Sequence, residues 1–152
     1  MGPMIEAAPA VPAAPAADPG FEPSWPAQAG VVGPWIDNEW LLARVVEAEA
    51  EGEPYAGRVG IAAVILNRVK SPAFPSTIPE VIYQPFAFES VMNGRIWEVN
   101  LSADALNAAR DALNGWDPTY GSLFFWNPAK PVSAWIWTRT IITQIGRHVF
   151  AL

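Results

Sequence analysis

Hydrophobic positions recur at helical spacing in two consecutive segments of the first half of the chain. Asp37 or Asn38 provides an N-cap for the first helix, which is predicted to run to about Glu51 and to end at Gly52. The second predicted helix runs from Tyr55 to Val69. Its apolar stripe, at helical spacing, consists of Val59, Ala62, Ala63 and Leu66. Small residues in this stripe allow a close approach, so we expect the two helices to pack together.

Two further helices are marked by their capping residues. Thr77 and Glu80 form a capping box that opens a short helix through Tyr83. Ser102 caps a longer helix that is predicted to end at Gly115. The side chains predicted to face inward from this longer helix are Leu106, Ala109 and Leu113.

Beyond Asp117-Pro118 the pattern changes to short runs of aromatic and β-branched residues, which are typical of strands. The predicted strands are Leu123 to Trp126, Ala134 to Thr138, Ile141 to Ile145 and His148 to Leu152. Gly146 and Arg147 form a tight turn between the last two strands. Helices followed by a small antiparallel sheet place the chain in the α+β class.

The first 34 residues differ in composition from the rest, because they hold eight of the sixteen prolines and much of the alanine. Such a composition is typical of an extended linker, so we predict a linker over residues 1–34 and one domain over residues 35–152. The segment lacks the basic start and the unbroken apolar stretch of a secretory signal. We interpret it as the connection to an upstream module or the trace of a leader already removed, with a disordered end of no role as the alternative.

Composition and charge exclude several classes of protein for this chain of 152 residues. Every apolar run is far shorter than the ~20 residues of a membrane helix, so no membrane span is expected. Five of the fifteen acidic residues precede the first basic residue, Arg44, which leaves ten acidic against nine basic residues. A nearly neutral domain is not expected to bind nucleic acid. With no cysteine and one histidine, neither a metal site nor a cofactor is predicted.

Glu49 is the most informative position of the first predicted helix. It continues an apolar stripe that begins seven residues earlier at Leu42, so its carboxylate is predicted to face the core. Burial raises the pKa of a carboxyl group above the ~4.3 of a free glutamate, as a general acid at neutral pH requires. The alternative is an ion pair between Glu49 and Arg58 or Arg68 of the second helix.

The other titratable residues near this stripe receive less specific interpretations. Glu47 and Glu51 are predicted to be solvated, with Glu47 paired to Arg44 at the surface. Glu53 lies one turn after Glu49, close enough to influence its ionisation. His148, on a terminal strand, is more typical of a structural residue than of a catalytic base.

Several motifs follow one another from about Trp40 to the C-terminus. They are Ala48 to Tyr55, Val64 to Val69, Phe74-Pro75, Thr77-Ile78, Val81 to Gln84, Ala112 to Thr119, Asn127-Pro128, Trp135 to Trp137, Ile145-Gly146, His148 and Phe150-Ala151. In this order the chain resembles the catalytic domain of spore cortex-lytic enzymes and related cell wall hydrolases of the SleB/CwlJ type. Departures from the family pattern occur at Ala48, Glu51, Phe86 and Glu89. The last two lie beside the expected cleft, so they bear on substrate preference more than on the reaction.

This resemblance implies a lysozyme- or lytic-transglycosylase-like arrangement of helices and bacterial peptidoglycan as the substrate. Glu49 occupies the position of the catalytic acid, which protonates the oxygen between N-acetylmuramic acid, or its lactam, and N-acetylglucosamine. Deprotonated Glu49 then takes the proton of the muramic 6-hydroxyl, so that a 1,6-anhydro product forms. The alternatives are hydrolysis by a muramidase or glucosaminidase with Glu89 or Glu53 as the second carboxylate, and a wall-binding module without catalysis.

Aromatic, amide and carboxylate side chains provide the candidate substrate contacts, since sugar rings stack on aromatic faces while their hydroxyls bind polar groups. The candidates are Glu53, Tyr55, Gln84, Phe88, Trp126, Asn127 and Trp137. Trp135 and Trp137 are predicted to share one strand face, which would place one of them in the cleft. The implied partners are glycan strands and an accessory spore or envelope protein, and the implied location is extracytoplasmic, in the spore cortex or coat or the cell envelope.

Overall fold

The computed structural model describes residues 34–152, with side chains from residue 38 onward. The predicted linker therefore lies outside the described residues apart from its last position, and the predicted domain boundary stays a prediction. Within the described part of the chain, no helix has both the length and the apolar composition that crossing a membrane requires.

Helices form the first part of the described chain and a three-stranded antiparallel sheet forms the last part. The helices are α1 (Pro34–Glu49), α2 (Tyr55–Lys70), α3 (Ile78–Ile82), α4 (Glu89–Met92) and α5 (Ala103–Leu113), with a 3-10 turn at Arg95–Trp97. The strands are β1 (Phe124–Trp126), β2 (Ile141–Ile145) and β3 (His148–Ala151). Strand β3 lies between β1 and β2 and is antiparallel to both. The predicted α+β class is confirmed.

Helix α1 is the centre of the helical part, in contact with α2, α3, α4, α5 and the 3-10 turn. Every residue from Leu41 to Glu47 is buried. The predicted surface pair of Glu47 and Arg44 is therefore wrong, because this helix has no solvated face there. Glu47 accepts a hydrogen bond from the Ser102 N–H at 3.0 Å, and Arg44 donates to two backbone carbonyls around the 3-10 turn at 2.6 and 3.1 Å.

The ends of α1 also differ from the prediction. The helix begins at Pro34, so Asp37 and Asn38 lie inside it and neither caps it. A proline suits the first turn of a helix, where its missing N–H would have no partner. The helix ends at Glu49 rather than Glu51, before Gly52 adopts a left-handed φ of 79° and turns the chain towards α2. Helix α2 matches its predicted range and packs on α1, as expected.

The predicted caps of α3 and α5 are confirmed. The hydroxyls of Thr77 and Ser102 each accept a hydrogen bond from the backbone N–H three residues later. Helix α5 packs on α1 and α2 through small side chains, namely Ala105, Ala108, Ala109 and Ala112. Leu113 is 41% exposed, so its predicted inward position is wrong. Alanine at these contacts lets the three helix axes approach closely.

The two faces of the sheet contribute to different hydrophobic clusters because successive strand residues point to opposite sides. Phe125 and Phe150 face the helices and join the main core. Phe124, Trp126 and Val149 face outwards and form a second cluster. The sheet is therefore covered on both sides, by the helices on one and by the segment between β1 and β2 on the other.

That covering segment contains the one predicted strand that is wrong, since Ala134–Thr138 forms a 3-10 helix. With about three residues per turn, Trp135 and Trp137 do not share a face. The Trp135 ring lies edge-on to Phe124, with centroids 5.4 Å apart, whereas Trp137 is half exposed beside Trp126. Ile136 is buried in the outer cluster. The segment thus covers the sheet through side-chain packing and does not extend it.

Candidate active site

A cavity of about 260 Å³ lies between the helical part and the sheet. Its walls come from the end of α1, the α4 region, the segment that leaves β1 and the start of β3. The lining residues are Ala48, Glu49, Glu89, Ser90, Asn93, Arg95, Phe125, Trp126, Asn127, Lys130 and His148. Polar and charged groups therefore surround the cavity on one side, and aromatic rings of β1 form part of the other.

Glu49, the last residue of α1, presents a half-buried carboxylate to this cavity. Its Oε2 accepts hydrogen bonds from the Ser90 hydroxyl at 2.7 Å and from the Ser90 N–H at 3.3 Å. Burial raises the pKa of Glu49; the Ser90 hydrogen bonds and Lys130 oppose this effect, and nearby Glu89 adds to it. The net shift is upward, so Glu49 keeps its proton at a higher pH than a solvated glutamate does. This is the property that a general acid needs.

The alternative of an ion pair between Glu49 and an arginine of α2 does not match the structure. Arg58 donates to the backbone carbonyl of Glu53 at 3.1 Å, and Arg68 donates to the carbonyl of Leu123 at 2.8 Å. Neither arginine lines the cavity. The placement of Glu49 that its helical phase predicts is therefore the one observed.

Trp126 and Asn127 are the other predicted site residues that line the cavity. Trp126 contributes an almost fully buried ring. The Asn127 Oδ1 accepts a hydrogen bond from the Ala129 N–H at 2.9 Å, which fixes the plane of its amide. An aromatic wall beside an oriented amide is suited to a ligand with both apolar faces and polar substituents, as sugars have.

The remaining predicted substrate contacts do not line the cavity; they are Glu53, Tyr55, Gln84, Phe88 and Trp137. The Tyr55 hydroxyl donates to Asp111 on α5 at 2.6 Å, an interaction that joins two helices. Gln84 and Phe88 are buried, and Phe88 stacks on the inner side of Phe125. Their contact with a substrate stays a prediction.

Glu53 is buried beneath the turn between β2 and β3. Its Oε1 accepts a hydrogen bond from the Arg147 N–H at 3.0 Å, and its Oε2 accepts one from Arg147 Nε at 2.6 Å. Burial by itself raises the pKa of Glu53, but the bonds from Arg147 and the proximity of His148 outweigh it, so the pKa is lowered. Glu53 is therefore a structural anion at neutral pH, and its side chain does not line the cavity.

His148 lines the cavity, whereas the sequence pattern favoured a purely structural position. It precedes Phe150 by two residues on β3, so strand alternation places both side chains on the helix-facing side. The alternation of side chains along the strand is the sequence signal that could have predicted this position of His148. Burial lowers the pKa of His148, an effect that Arg147 and Lys130 reinforce and Glu53 opposes, so the imidazole is neutral at pH 7.

Ser90 is a cavity residue that the sequence did not single out. It lies 41 residues from Glu49 along the chain, on the short helix α4, and it is buried. A serine followed by valine and methionine forms no local sequence pattern that predicts a hydrogen bond to a distant carboxylate. Lys130 and Arg95 likewise reach the cavity only through the tertiary fold.

Residues 52–151 match the family model described as cell wall hydrolase. The spore cortex-lytic enzyme of Oceanobacillus iheyensis is 50% identical over 110 residues, which are 72% of this chain and 40% of that protein. The spore cortex-lytic enzyme of Bacillus subtilis is 49% identical over 110 residues, again 72% of this chain and 36% of that protein. The chain thus spans about two fifths of the length of these curated relatives.

A relative of more similar length is the cell wall hydrolase CwlJ of Bacillus subtilis, 32% identical over 118 residues, which are 72% of this chain and 81% of that protein. Two solved structures are similar in fold. The catalytic domain of Bacillus cereus SleB has a TM-score of 0.73 and 42% identity, covering 88% of this chain and 99% of that chain. The catalytic domain of the germination-specific lytic transglycosylase SleB from Bacillus anthracis has a TM-score of 0.73 and 45% identity, covering 80% and 100%. The predicted arrangement of helices is confirmed.

Proposed function

The chain belongs to the cell wall hydrolase family, and on this premise we propose that it cleaves the glycan strands of peptidoglycan. The bond is the one between N-acetylmuramic acid, or its lactam, and N-acetylglucosamine. The observation that carries this proposal is Glu49, a carboxyl group with a raised pKa that faces a cavity with aromatic and amide walls. The relatives named as spore cortex-lytic enzymes and as a lytic transglycosylase support it.

In the first step, protonated Glu49 donates its proton to the oxygen of the scissile bond. The bond between that oxygen and the anomeric carbon breaks, and positive charge develops on the muramic ring as an oxocarbenium-like state. Ser90 contributes by orienting the carboxyl group, since both of its hydrogen bonds end on Oε2. These bonds stabilise the carboxylate that remains after proton transfer, so Ser90 is a positioning residue for the acid.

In the second step, the muramic 6-hydroxyl closes on the anomeric carbon and its proton returns to Glu49. The product is a 1,6-anhydro sugar, and the enzyme regains its protonated acid without a water molecule being consumed. One carboxylate is sufficient for this lytic transglycosylase reaction. Asn127 is suited to bind a sugar hydroxyl next to Glu49, because its amide is oriented and lines the cavity. The Trp126 ring is 1% exposed, so it forms part of the cavity wall and has little surface left for stacking.

Hydrolysis is the second candidate, because Glu89 lines the same cavity as Glu49 and is exposed to solvent. There it could activate water as a second carboxylate. Glu53, the other carboxylate considered from the sequence, accepts a hydrogen bond from Arg147 and does not line the cavity. A wall-binding module without catalysis is disfavoured by Glu49, since a half-buried acid with a raised pKa has no evident use in passive binding.

Peptidoglycan as the substrate implies that the protein acts outside the cytoplasm. Spore cortex is the specific site that the names of the relatives favour. An accessory spore or envelope protein stays a prediction as a partner.

The test is mass spectrometry of fragments released from purified cortex and vegetative sacculi by the wild type, Glu49→Gln and Glu89→Gln, with Glu98→Gln as an exposed control. We expect anhydro-muramic products from the wild type and a loss of at least ~10²-fold in Glu49→Gln, because the amide cannot donate a proton. Borohydride-reducible muramic ends that disappear in Glu89→Gln would instead establish hydrolysis. Pulldown with insoluble peptidoglycan and no fragments from any variant would establish a binding module.

A further inference from the structure

The cavity contains an imidazole that the mechanism above does not use. His148 is 8% exposed, and its Nδ1 is buried without a hydrogen-bond partner among the residues that the structure describes. The same ring lines the cavity with Glu49. Leaving a buried polar atom unpaired costs about 1–3 kcal/mol, so an imidazole in this position calls for a functional explanation.

Glu53 lies on the buried side of this ring. Its Oε1 is 3.8 Å from His148 Nδ1, and both of its oxygens are fixed by Arg147. An ionised carboxylate can only accept hydrogen bonds, so it favours the tautomer in which Nδ1 carries the proton. Nε2 then has a free lone pair. Because Nδ1 is sealed from solvent, the edge of the ring that reaches the cavity is the edge with Nε2.

The surrounding structure holds the imidazole in one orientation. Phe125 packs against it edge-on, with ring centroids 5.4 Å apart. Gly146 adopts a left-handed φ of 58° in the turn before it, and a Cβ at this position would overlap Glu53 Oε1 and come within 2.7 Å of Pro54 Cδ. The turn can therefore dock on Glu53 only with glycine at this point, and this docking brings Glu53 against His148.

We propose that His148 is a second catalytic residue, whose Nε2 accepts a hydrogen bond from the muramic 6-hydroxyl, and that Glu53 is the positioning residue that sets its tautomer. The proposal rests on the transglycosylase function proposed above. As the bond between the anomeric carbon and the 6-oxygen forms, the hydroxyl proton passes to Nε2. Glu49, which has given its own proton to the leaving oxygen, receives this proton from His148 through solvent. The cycle closes with no further reactant.

The charges around the ring are compatible with this role. Burial lowers the pKa of His148, and the groups that act on it electrostatically are Glu53, Arg147 and Lys130. A neutral imidazole can accept a proton, whereas an imidazolium could not. Once His148 is protonated, the adjacent Glu53 carboxylate stabilises the charge.

The test compares His148→Asn with His148→Gln. The asparagine amide lies near the position of Nδ1 and retains the contact with Glu53, but it has no atom at the position of Nε2. The glutamine amide reaches that position, where its oxygen can accept a hydrogen bond. We expect a loss of about 10²-fold in fragment release for His148→Asn and a smaller loss for His148→Gln.

The ratio of anhydro to borohydride-reducible muramic products separates catalysis from structure. In His148→Asn we expect this ratio to fall, because a 6-hydroxyl that is not oriented competes less well with water. Glu53→Gln is expected to lower it in the same direction. A purely structural role would change thermal stability and leave the product ratio of the folded fraction unchanged.

The wild type and the exposed control Glu98→Gln are measured in parallel. Anhydro products from the wild type, together with His148 variants that stay within about twofold of it in rate and ratio, would overturn the role of His148 alone. A wild type that releases only reducible ends, or nothing, would overturn the proposed function first and this inference with it. If His148→Asn folds poorly, an unchanged ratio in Glu53→Gln would overturn the inference.

Discussion

At the scale of single residues, the raised pKa of Glu49 makes stability depend on pH. Burial raises its pKa, so the folded state binds this proton more tightly than the unfolded chain does. The stabilisation from the group is fully present below the ordinary pKa of ~4.3. It is lost as the pH rises through the raised pKa of the folded state. At neutral and alkaline pH, Glu49 thus reduces the free energy of unfolding.

Glu49→Gln is therefore expected to be more stable than the wild type at about pH 8, because the amide never ionises and its oxygen can still accept from Ser90. The difference should shrink towards about pH 5, where a larger share of Glu49 is protonated in the wild type. Urea unfolding of both proteins at several pH values measures it. Glu98→Gln, at an exposed position, serves as the control. A variant less stable than the wild type at every pH would contradict the assigned direction of the pKa shift.

At the scale of elements, α2 and β3 meet at Gly60. A Cβ there would lie 2.9 Å from Phe150 Cζ and 3.0 Å from Thr119 Cγ2, both buried. Thr119 cannot withdraw easily, because its N–H and hydroxyl both donate to Asp117, at 2.7 and 2.6 Å. Asp117 in turn accepts from Asn67 of α2 at 2.9 Å. These motif residues of the family resemblance thus attach the helix to the segment before the sheet.

Substitution by alanine is expected to have opposite effects on stability at two glycines of α2. Gly60→Ala is expected to destabilise the protein by about 1–3 kcal/mol through overpacking against Phe150. Gly57→Ala is expected to stabilise it by about 0.5–1 kcal/mol, since its nearest neighbours would be at 3.5 Å and alanine favours the helix. Chemical unfolding of both variants tests this pair. Equal effects of the two substitutions would show that α2 and β3 are not in tight contact.

At the scale of the whole molecule, the described residues form a helical part and a sheet with the cavity between them. Residues 1–33 are rich in proline and alanine. Such a sequence has neither periodic apolar faces nor regular backbone hydrogen-bond donors. Deleting residues 1–33 is therefore expected to leave the thermal midpoint within about 2 °C of the full chain. Scanning calorimetry of both forms measures it. A midpoint lower by many degrees would identify this segment as a docked part of the domain.

Local sequence predicted helices α1, α2, α3 and α5, the three strands and the placement of Glu49, because each depends on residues within one or two turns. Helix α4, which carries Ser90, and the start of α1 were not predicted. Caps such as Thr77 and Ser102 form hydrogen bonds with backbone groups three residues away, so their effect is local and can be predicted from the sequence. The aromatic segment Ala134–Thr138 was the exception among the strands. Its composition favoured a strand, but packing of Ile136 against the outer face of the sheet determined its conformation.

The residues that surround Glu49 are set by tertiary packing. Ser90, which donates a hydrogen bond to Glu49, lies 41 residues further along the chain. His148 contacts Glu53, which is 95 residues earlier in the sequence. Tertiary packing also determines the burial of Glu47. A helical pattern implies a solvated face, but α1 has none over Leu41 to Glu47. The physical reason is the same in each case. A side chain's solvation and hydrogen-bond partners are set by the elements packed around it, and local sequence does not encode which elements those are.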